Sequence, residues 1–158
     1  CHVALVRGHD DPGARRVLVP FDGSHLSLAA LELAILHAER IGGEVTVLHV
    51  LETGSLLDPG DAAEGPLADA ARRMIATTTL AAVSPLFSSA AARVSVLVRD
   101  ADPIRPPLLR EAASGEYGMV VIGADSRALL NRISAGHDVE RLADAAACTV
   151  VVIVPKIA

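Results

Sequence analysis

Short apolar runs alternate along this chain with longer stretches in which apolar residues recur every three or four positions. Five runs have the length of β-strands and cover residues 16–20, 44–51, 93–98, 119–122 and 149–154. The stretches between them have helical periodicity. Strands that alternate with helices are typical of βαβ units. The pattern therefore predicts an α/β domain in which a five-stranded parallel sheet carries helices on both faces.

The first helix has clear start and stop signals. Ser24 follows an Asp-Gly turn, and its side-chain oxygen is well placed to cap a helix. Gly42 and Gly43 are predicted to end that helix, as glycine commonly does. The apolar stripe predicted to face the sheet consists of Leu28, Leu31, Ala34, Ile35 and Ala38.

Three further helices are predicted with weaker signals. One covers 67–84 and is broken at Pro85, because proline cannot continue a helix. Another opens at Asp102-Pro103 and has Pro106 and Pro107 near its first turn, and the last begins at residues 136–138. The stripe expected on the 67–84 helix consists of Ala70, Met74, Thr77, Thr78 and Ala81.

Length and composition narrow the classes of protein. The 158 residues suit one domain, and hydrophobic residues make up 51% of them while aromatic residues make up only 2%. The net charge is −5 and the Lys and Arg residues are scattered, so no basic face for nucleic acid is evident. The longest apolar runs are too short to cross a bilayer, and no signal peptide is recognised.

Outside the loops, few residues suggest catalysis or metal binding. The cysteines, Cys1 and Cys148, are too far apart in sequence for a disulfide framework or a zinc pattern, which favours a cytoplasmic protein. The histidines fall in no metal-binding spacing, so no metal site is predicted. His49 is expected to be a hydrogen-bonded structural residue. Ser24 lacks a nucleophile-elbow motif and Cys148 precedes an apolar strand, so no catalytic residue is assigned.

The two ends of the chain resemble each other. Residues 1–7 and 148–154 both begin Cys-x-Val and continue as a strand, although apolar runs also match by chance. If the repeat is real, residues 1–14 are the end of a preceding domain copy or a linker, and residues 15–158 form the domain.

The order of motifs resembles the universal stress protein family over about Arg15 to Val154. The motifs are Val19-Pro20-Phe21-Asp22-Gly23-Ser24, Leu48-His49-Val50, Val121-Ile122-Gly123 and the run from Cys148 to Ile153. The resemblance implies a Rossmann-like fold of the adenine nucleotide alpha-hydrolase kind. It also implies an adenine pocket lined by Pro20, Phe21 and Val50, with Asp22 at the base end of the nucleotide. Asp22 could instead be only a turn residue.

The phosphate loop of the ATP-binding members is only partly present. Their motif has glycines at spacings of two and nine residues and ends in Ser or Thr, and the matching positions here are Gly123, Ser126, Gly136 and His137. The spacing is intact, but Ser126 replaces a glycine and His137 replaces the hydroxyl residue. Asp138 then adds negative charge beside any phosphate. ATP or AMP are the ligands implied, with a weakened triphosphate grip, although His137 and Asp138 could simply cap the helix.

The resemblance implies a stress-response regulatory domain that acts through protein contacts and is not an enzyme. An alternative is the cytoplasmic regulatory domain of a cation/proton antiporter or another transporter, tethered to the inner face of the membrane. A nucleotide-hydrolysing enzyme ranks last, because no Walker-type lysine accompanies Asp125, Arg127 and Arg132. A homodimer through the edge strand Thr149–Val154 is predicted, with pairing of Cys1–Arg7 to that edge as the alternative.

Overall fold

The computed structural model describes residues 2–7, 15–51, 65–87, 92–101, 106–123 and 138–154. Within these ranges the strands are β1 His2–Arg7, β2 Arg16–Pro20, β3 Glu44–Leu51, β4 Arg93–Asp100, β5 Met119–Gly123 and β6 Thr149–Val154. The helices are α1 His25–Ile41, α2 Pro66–Val83, α3 Pro107–Ala113 and α4 Asp138–Ala145, with a short 3-10 turn at Ser84–Leu86. The strands β4 and β5 run slightly further than their apolar patterns indicate.

The sheet has the order β1-β6-β5-β2-β3-β4. The strands β2 to β6 are parallel to one another, which confirms the five-stranded parallel sheet predicted from the sequence. The first strand, β1, pairs antiparallel with β6 and makes a sixth strand. Residues 2–7 therefore lie on the edge that had been predicted to bind a second subunit. Their origin in a preceding domain copy stays a prediction.

Two apolar clusters lie on opposite faces of the sheet. The first joins α1 and Val83 of α2 to one face, where Val17, Val45 and Val121 are buried. The second joins Leu108 of α3 and Leu142 of α4 to the other face. The expectation of helices on both faces is confirmed, and the large buried residues are almost all aliphatic. Burial of these side chains drives the two layers onto the sheet.

The first helix follows its sequence signals closely. The Ser24 side chain accepts a hydrogen bond from the Ser27 amide and caps the N-terminus. Gly42 ends the helix in the left-handed conformation with φ of 61°, which glycine adopts without steric penalty. The residues buried against the sheet are Leu26, Ser27, Ala30, Leu31, Ala34, Ile35 and Ala38. Most of the predicted stripe is therefore correct, and only Leu28 is less buried than expected.

The stripe predicted for α2 is wrong. The buried residues are Ala68, Thr79 and Val83, whereas Met74 is 63% exposed. Thr77 and Thr78 lie on the exposed side, and their hydroxyls donate to backbone carbonyls one turn earlier in the helix. Because α2 is rich in small residues, its apolar periodicity is weak. A face other than the predicted one packs against the sheet.

Candidate functional site

The order of strands reverses between β2 and β5. From β2 the chain proceeds to β3 and β4 on one side, whereas from β5 it proceeds to β6 on the other. Open α/β sheets bind ligands outside the carboxyl ends of the strands at such a switch point. Here β2 ends at Pro20 and β5 ends at Gly123. The strands are direct neighbours, with Leu18 opposite Val120.

A compact turn joins β2 to α1 at this point. The carboxylate Oδ1 of Asp22 accepts a hydrogen bond from the Ser24 amide at 2.9 Å. The Ser24 hydroxyl oxygen in turn accepts from the Ser27 amide at 3.1 Å, and the Ser27 hydroxyl donates to the Ser24 carbonyl at 2.9 Å. Asp22 is exposed, so one carboxylate oxygen is held by the turn while the side chain still faces solvent. Asp22 thus stabilises the turn, and its exposed carboxylate could still contact a ligand.

Gly123 lets the first turn of α1 approach the end of β5. A Cβ atom at this position would lie 2.6 Å from the carbonyl carbon of Leu26 and 2.8 Å from its carbonyl oxygen. These distances are far below van der Waals contact, so no side chain fits there without displacement of α1. The sequence comparison assigned Gly123 to a phosphate loop, and it missed this packing requirement.

The pocket residues implied by the resemblance are only partly brought together. The Phe21 amide donates to the Leu48 carbonyl at 2.9 Å, which extends the contact between β2 and β3 beyond Pro20. The Phe21 side chain packs against the first apolar cluster, whereas Val50 packs against the second. The two side chains therefore lie on opposite faces of the sheet. Val50 is half-buried and Pro20 is buried.

Three of the predicted phosphate-loop residues, Ser126, Gly136 and His137, lie outside the described residues. The helix α4 that follows them begins at Asp138, which agrees with the start predicted at 136–138. Their part in phosphate binding stays a prediction.

Charged side chains at the carboxyl end of β4 pair with charged residues of α2 and α3. Arg72 of α2 bridges Asp69 and Asp100, and its contact with Asp69 measures 3.1 Å. On the other side of the strand, Nε of Arg99 donates to Glu111 at 2.9 Å. The carboxylates raise the pKa of Arg72 and hold it charged. Carboxylates therefore offset the positive charge of these two guanidinium groups.

His49 differs from what the sequence predicted. Its Nδ1 atom is buried and has no hydrogen-bond partner among the described residues, so the expected structural hydrogen bond at this atom is not observed. Burial lowers the pKa of His49 below the ordinary value, because the charged imidazolium loses its hydration.

This lowered pKa predicts acid sensitivity. The unfolded chain takes up a proton at about pH 6.5, whereas folded His49 resists it, so the stabilising contribution is complete above pH ~6.5 and is lost as the pH falls below it. The expected slope is at most about 1.4 kcal/mol per pH unit for one proton. Urea unfolding at pH 7 and pH 5 would measure it. The variant His49→Leu should show a smaller loss of stability on acidification, and an unchanged loss would contradict the assignment to His49.

Among the described residues, the other groups that could react or bind a metal are not assembled into one centre. Cys148 is fully buried at the start of β6, and burial raises the pKa of its thiol, as expected for an unreactive cysteine. Among the residues that the structure describes, no group of three His, Cys, Asp or Glu side chains could hold a metal ion. None of the described helices is long and apolar enough to span a membrane.

The doubly wound parallel sheet, with its switch point between β2 and β5, defines an α/β domain. The sequence model of the universal stress protein family matches residues 13–154, and the chain belongs to this family. No protein of curated function matches the sequence.

Solved structures show the same fold. A universal stress protein from Lactobacillus plantarum is 21% identical with a TM-score of 0.59, and the match covers 89% of this chain and 97% of that one. The Archaeoglobus fulgidus protein in complex with dAMP is 19% identical with a TM-score of 0.58, covering 87% and 96%. A universal stress protein in complex with cAMP is 15% identical with a TM-score of 0.58, covering 89% and 97%.

Proposed function

We propose that this universal stress protein domain binds an adenine nucleotide at the switch point between β2 and β5 and reports it through protein contacts. Two proteins of similar fold are complexes with cAMP and with dAMP, which supports the class of ligand. The observation that carries the proposal is the exposed Asp22 carboxylate, held by the turn that follows β2.

The charge of Asp22 orients the ligand. A carboxylate accepts hydrogen bonds and donates none, so it suits the amino group of adenine or the hydroxyls of ribose. The same charge repels phosphate oxygens. The base and sugar therefore lie toward Asp22, with Val50 and Pro20 on the apolar side. The phosphate lies toward the end of β5 and the start of α4.

The phosphate end favours a nucleotide of low charge. Ser126 and His137 depart from the ATP-binding motif, and Asp138 adds a negative charge where α4 begins. Arg72 and Arg99 are engaged by carboxylates and do not offset that charge. A monophosphate or a cyclic monophosphate is accordingly preferred over ATP.

The output is a change in binding to another protein and not a chemical reaction. In support, the buried thiol of Cys148 has a raised pKa and is a poor nucleophile. A cytoplasmic setting, and attachment to a transporter, stay predictions from the sequence.

Calorimetric titration of the whole chain with adenosine, AMP, cyclic AMP, ADP and ATP tests the ligand class. Affinity should be highest for the monophosphates and should fall with each added phosphate. Tightest binding of ATP would show that the departures at Ser126 and His137 are tolerated. If none of the five compounds binds, the chain does not have the proposed pocket.

The variant Asp22→Asn tests whether the Asp22 carboxylate binds the nucleotide. Asparagine keeps an oxygen that can accept from the Ser24 amide, so the turn survives while the negative charge is lost. Hydrogen bonds to charged groups are worth about 1.5–3 kcal/mol, so AMP affinity should fall by roughly 10- to 100-fold. The matched control is Glu32→Gln on the exposed side of α1, which should leave affinity unchanged. If Asp22 is only a turn residue, AMP will bind the Asn variant as well as the wild type.

A further inference from the structure

The pairing of β1 with β6 covers one edge of the sheet. His2 lies opposite Val154, Ala4 opposite Val152 and Leu5 opposite Val151. The strand β1 runs antiparallel to β6, whereas the five other strands are parallel. The observation is independent of the nucleotide pocket, because β1 lies at the opposite side of β6 from the switch point.

Without β1, the edge strand would be β6. All six residues of β6 are β-branched, five of them are apolar, and β6 pairs in continuous register with β5. Side chains on both of its faces are buried in the two clusters. A flat, apolar, uncharged edge is a template for pairing with another chain. An edge of this kind is usually covered.

With β1 in place, the edge of the sheet has a different character. The register shifts between Leu5 and Arg7, which is a bulge in β1. The strand also ends in a positively charged residue, Arg7. Bulges and charges on edge strands are devices that discourage further pairing. The opposite edge, β4, similarly carries Arg93, Arg99 and Asp100.

The geometry allows β1 to belong to the same chain as the β6 that it covers. Arg7 lies opposite Val150, which lies opposite Val120, which lies opposite Leu18. These neighbours are about 4.8 Å apart, so roughly 15 Å separates Arg7 from the row of Leu18 in β2. The residues 8–15 between the two strands can reach up to about 30 Å. The connection is therefore long enough within one chain.

We infer that β1 is an internal cap that excludes a second copy of this chain from the β6 edge. Residues 1–7 and 148–154 are similar in sequence, so β1 occupies the position that a partner's β6 would take. Antiparallel pairing of two identical strands is compatible with a two-fold axis. The chain is a monomer while β1 is paired with β6. Loss of this pairing exposes β6, and two chains then dimerise through it. The homodimer predicted from the sequence corresponds to this uncapped state.

A double proline variant of the full chain, Ala4→Pro with Leu5→Pro, tests the inference. The backbone amides of two adjacent strand residues point to opposite sides of the strand, so one of the two faces β6. Replacing both residues by proline therefore removes a hydrogen bond to β6 in either case. Light scattering should give a monomer mass for the wild type and twice that mass for the variant. The control, Ala4→Val with Leu5→Val, keeps the amides and should remain monomeric.

A peptide of residues 2–7 separates uncapping from misfolding. Added in excess, it should return the double proline variant to monomer mass, because it refills the edge. A monomeric double proline variant would overturn the inference. Assemblies larger than a dimer that the peptide does not dissolve would also overturn it.

A disulfide checks that the cap acts within one chain. The variant His2→Cys with Val154→Cys, in a Cys1→Ser background, places two cysteines opposite each other. Directly opposed strand residues have Cα separations that a disulfide can bridge. Oxidation should give a cross-link within single chains and a monomer that stays monomeric at high concentration. Covalently linked dimers of the cysteine variant would contradict the inference. So would a dimeric wild type, even if the variant cross-links within single chains.

Discussion

Replacement of Gly123 by alanine is expected to destabilise the fold by about 3 kcal/mol, at the upper end of the range for overpacked sites. The added Cβ would meet backbone atoms of Leu26 at 2.6–2.8 Å. No rotamer change relieves a contact with backbone, so the first turn of α1 must move away from β5. The free energy of unfolding from urea titration measures the loss.

A matched glycine distinguishes this steric effect from a general effect of alanine. Gly115 has a φ of 76° but open space around the position of a Cβ. Alanine there should cost only about 1 kcal/mol, from the left-handed backbone. If Gly123→Ala is no more destabilising than Gly115→Ala, the close approach of α1 to β5 is not a requirement of the fold.

The second large effect is expected at Leu142. This side chain is fully buried and is the largest apolar anchor of α4. Truncation to alanine should destabilise the chain by about 2–5 kcal/mol, because it removes transfer energy and leaves a cavity. It should also weaken AMP binding, since α4 begins at the phosphate end of the proposed site. Thermal unfolding and calorimetry measure the two losses.

The adjacent residue provides the control for Leu142. Arg141 is exposed on the same helix, so Arg141→Ala should change stability by less than about 0.5 kcal/mol. Equal effects at the two positions would show that α4 is not held by the second apolar cluster.

Gly123 and Leu142 both shape the edge of the sheet at which the nucleotide site is proposed, and this effect requires no contact with a ligand. Gly123 sets the distance between α1 and β5, and Leu142 holds α4 on the opposite face. Loss of affinity in these variants should therefore accompany loss of stability. Asp22→Asn should separate the two effects, because it preserves the turn and removes only the charge.

Local sequence patterns predicted much of the architecture. The apolar runs indicated the five parallel strands, since strands of a buried parallel sheet are apolar on both faces. Ser24 and Gly42 predicted the two ends of α1, because capping depends on a few adjacent residues. Asp22 was predicted at the edge that the fold exposes. These features depend on neighbours in the chain, which the sequence displays directly.

Features of packing between distant segments were not predictable in this way. The face of α2 that is buried was assigned wrongly, because its small residues give no clear stripe and the sheet decides the face. Phe21 and Val50 were grouped in one pocket, yet their side chains lie on opposite faces. His49 was expected to have a partner, but burial left its Nδ1 without one among the described residues.

The sequence by itself determined the order of elements, the parallel sheet, the family and the position of Asp22, because each depends on local periodicity and short motifs. Only the tertiary structure decided that the Leu26 backbone leaves no room for a side chain at Gly123, and that β1 pairs with β6 in the described chain. The physical reason is the same in both cases. A steric contact and a strand pairing depend on which distant segments come together, and apolar strands of similar sequence are equally able to fill one edge.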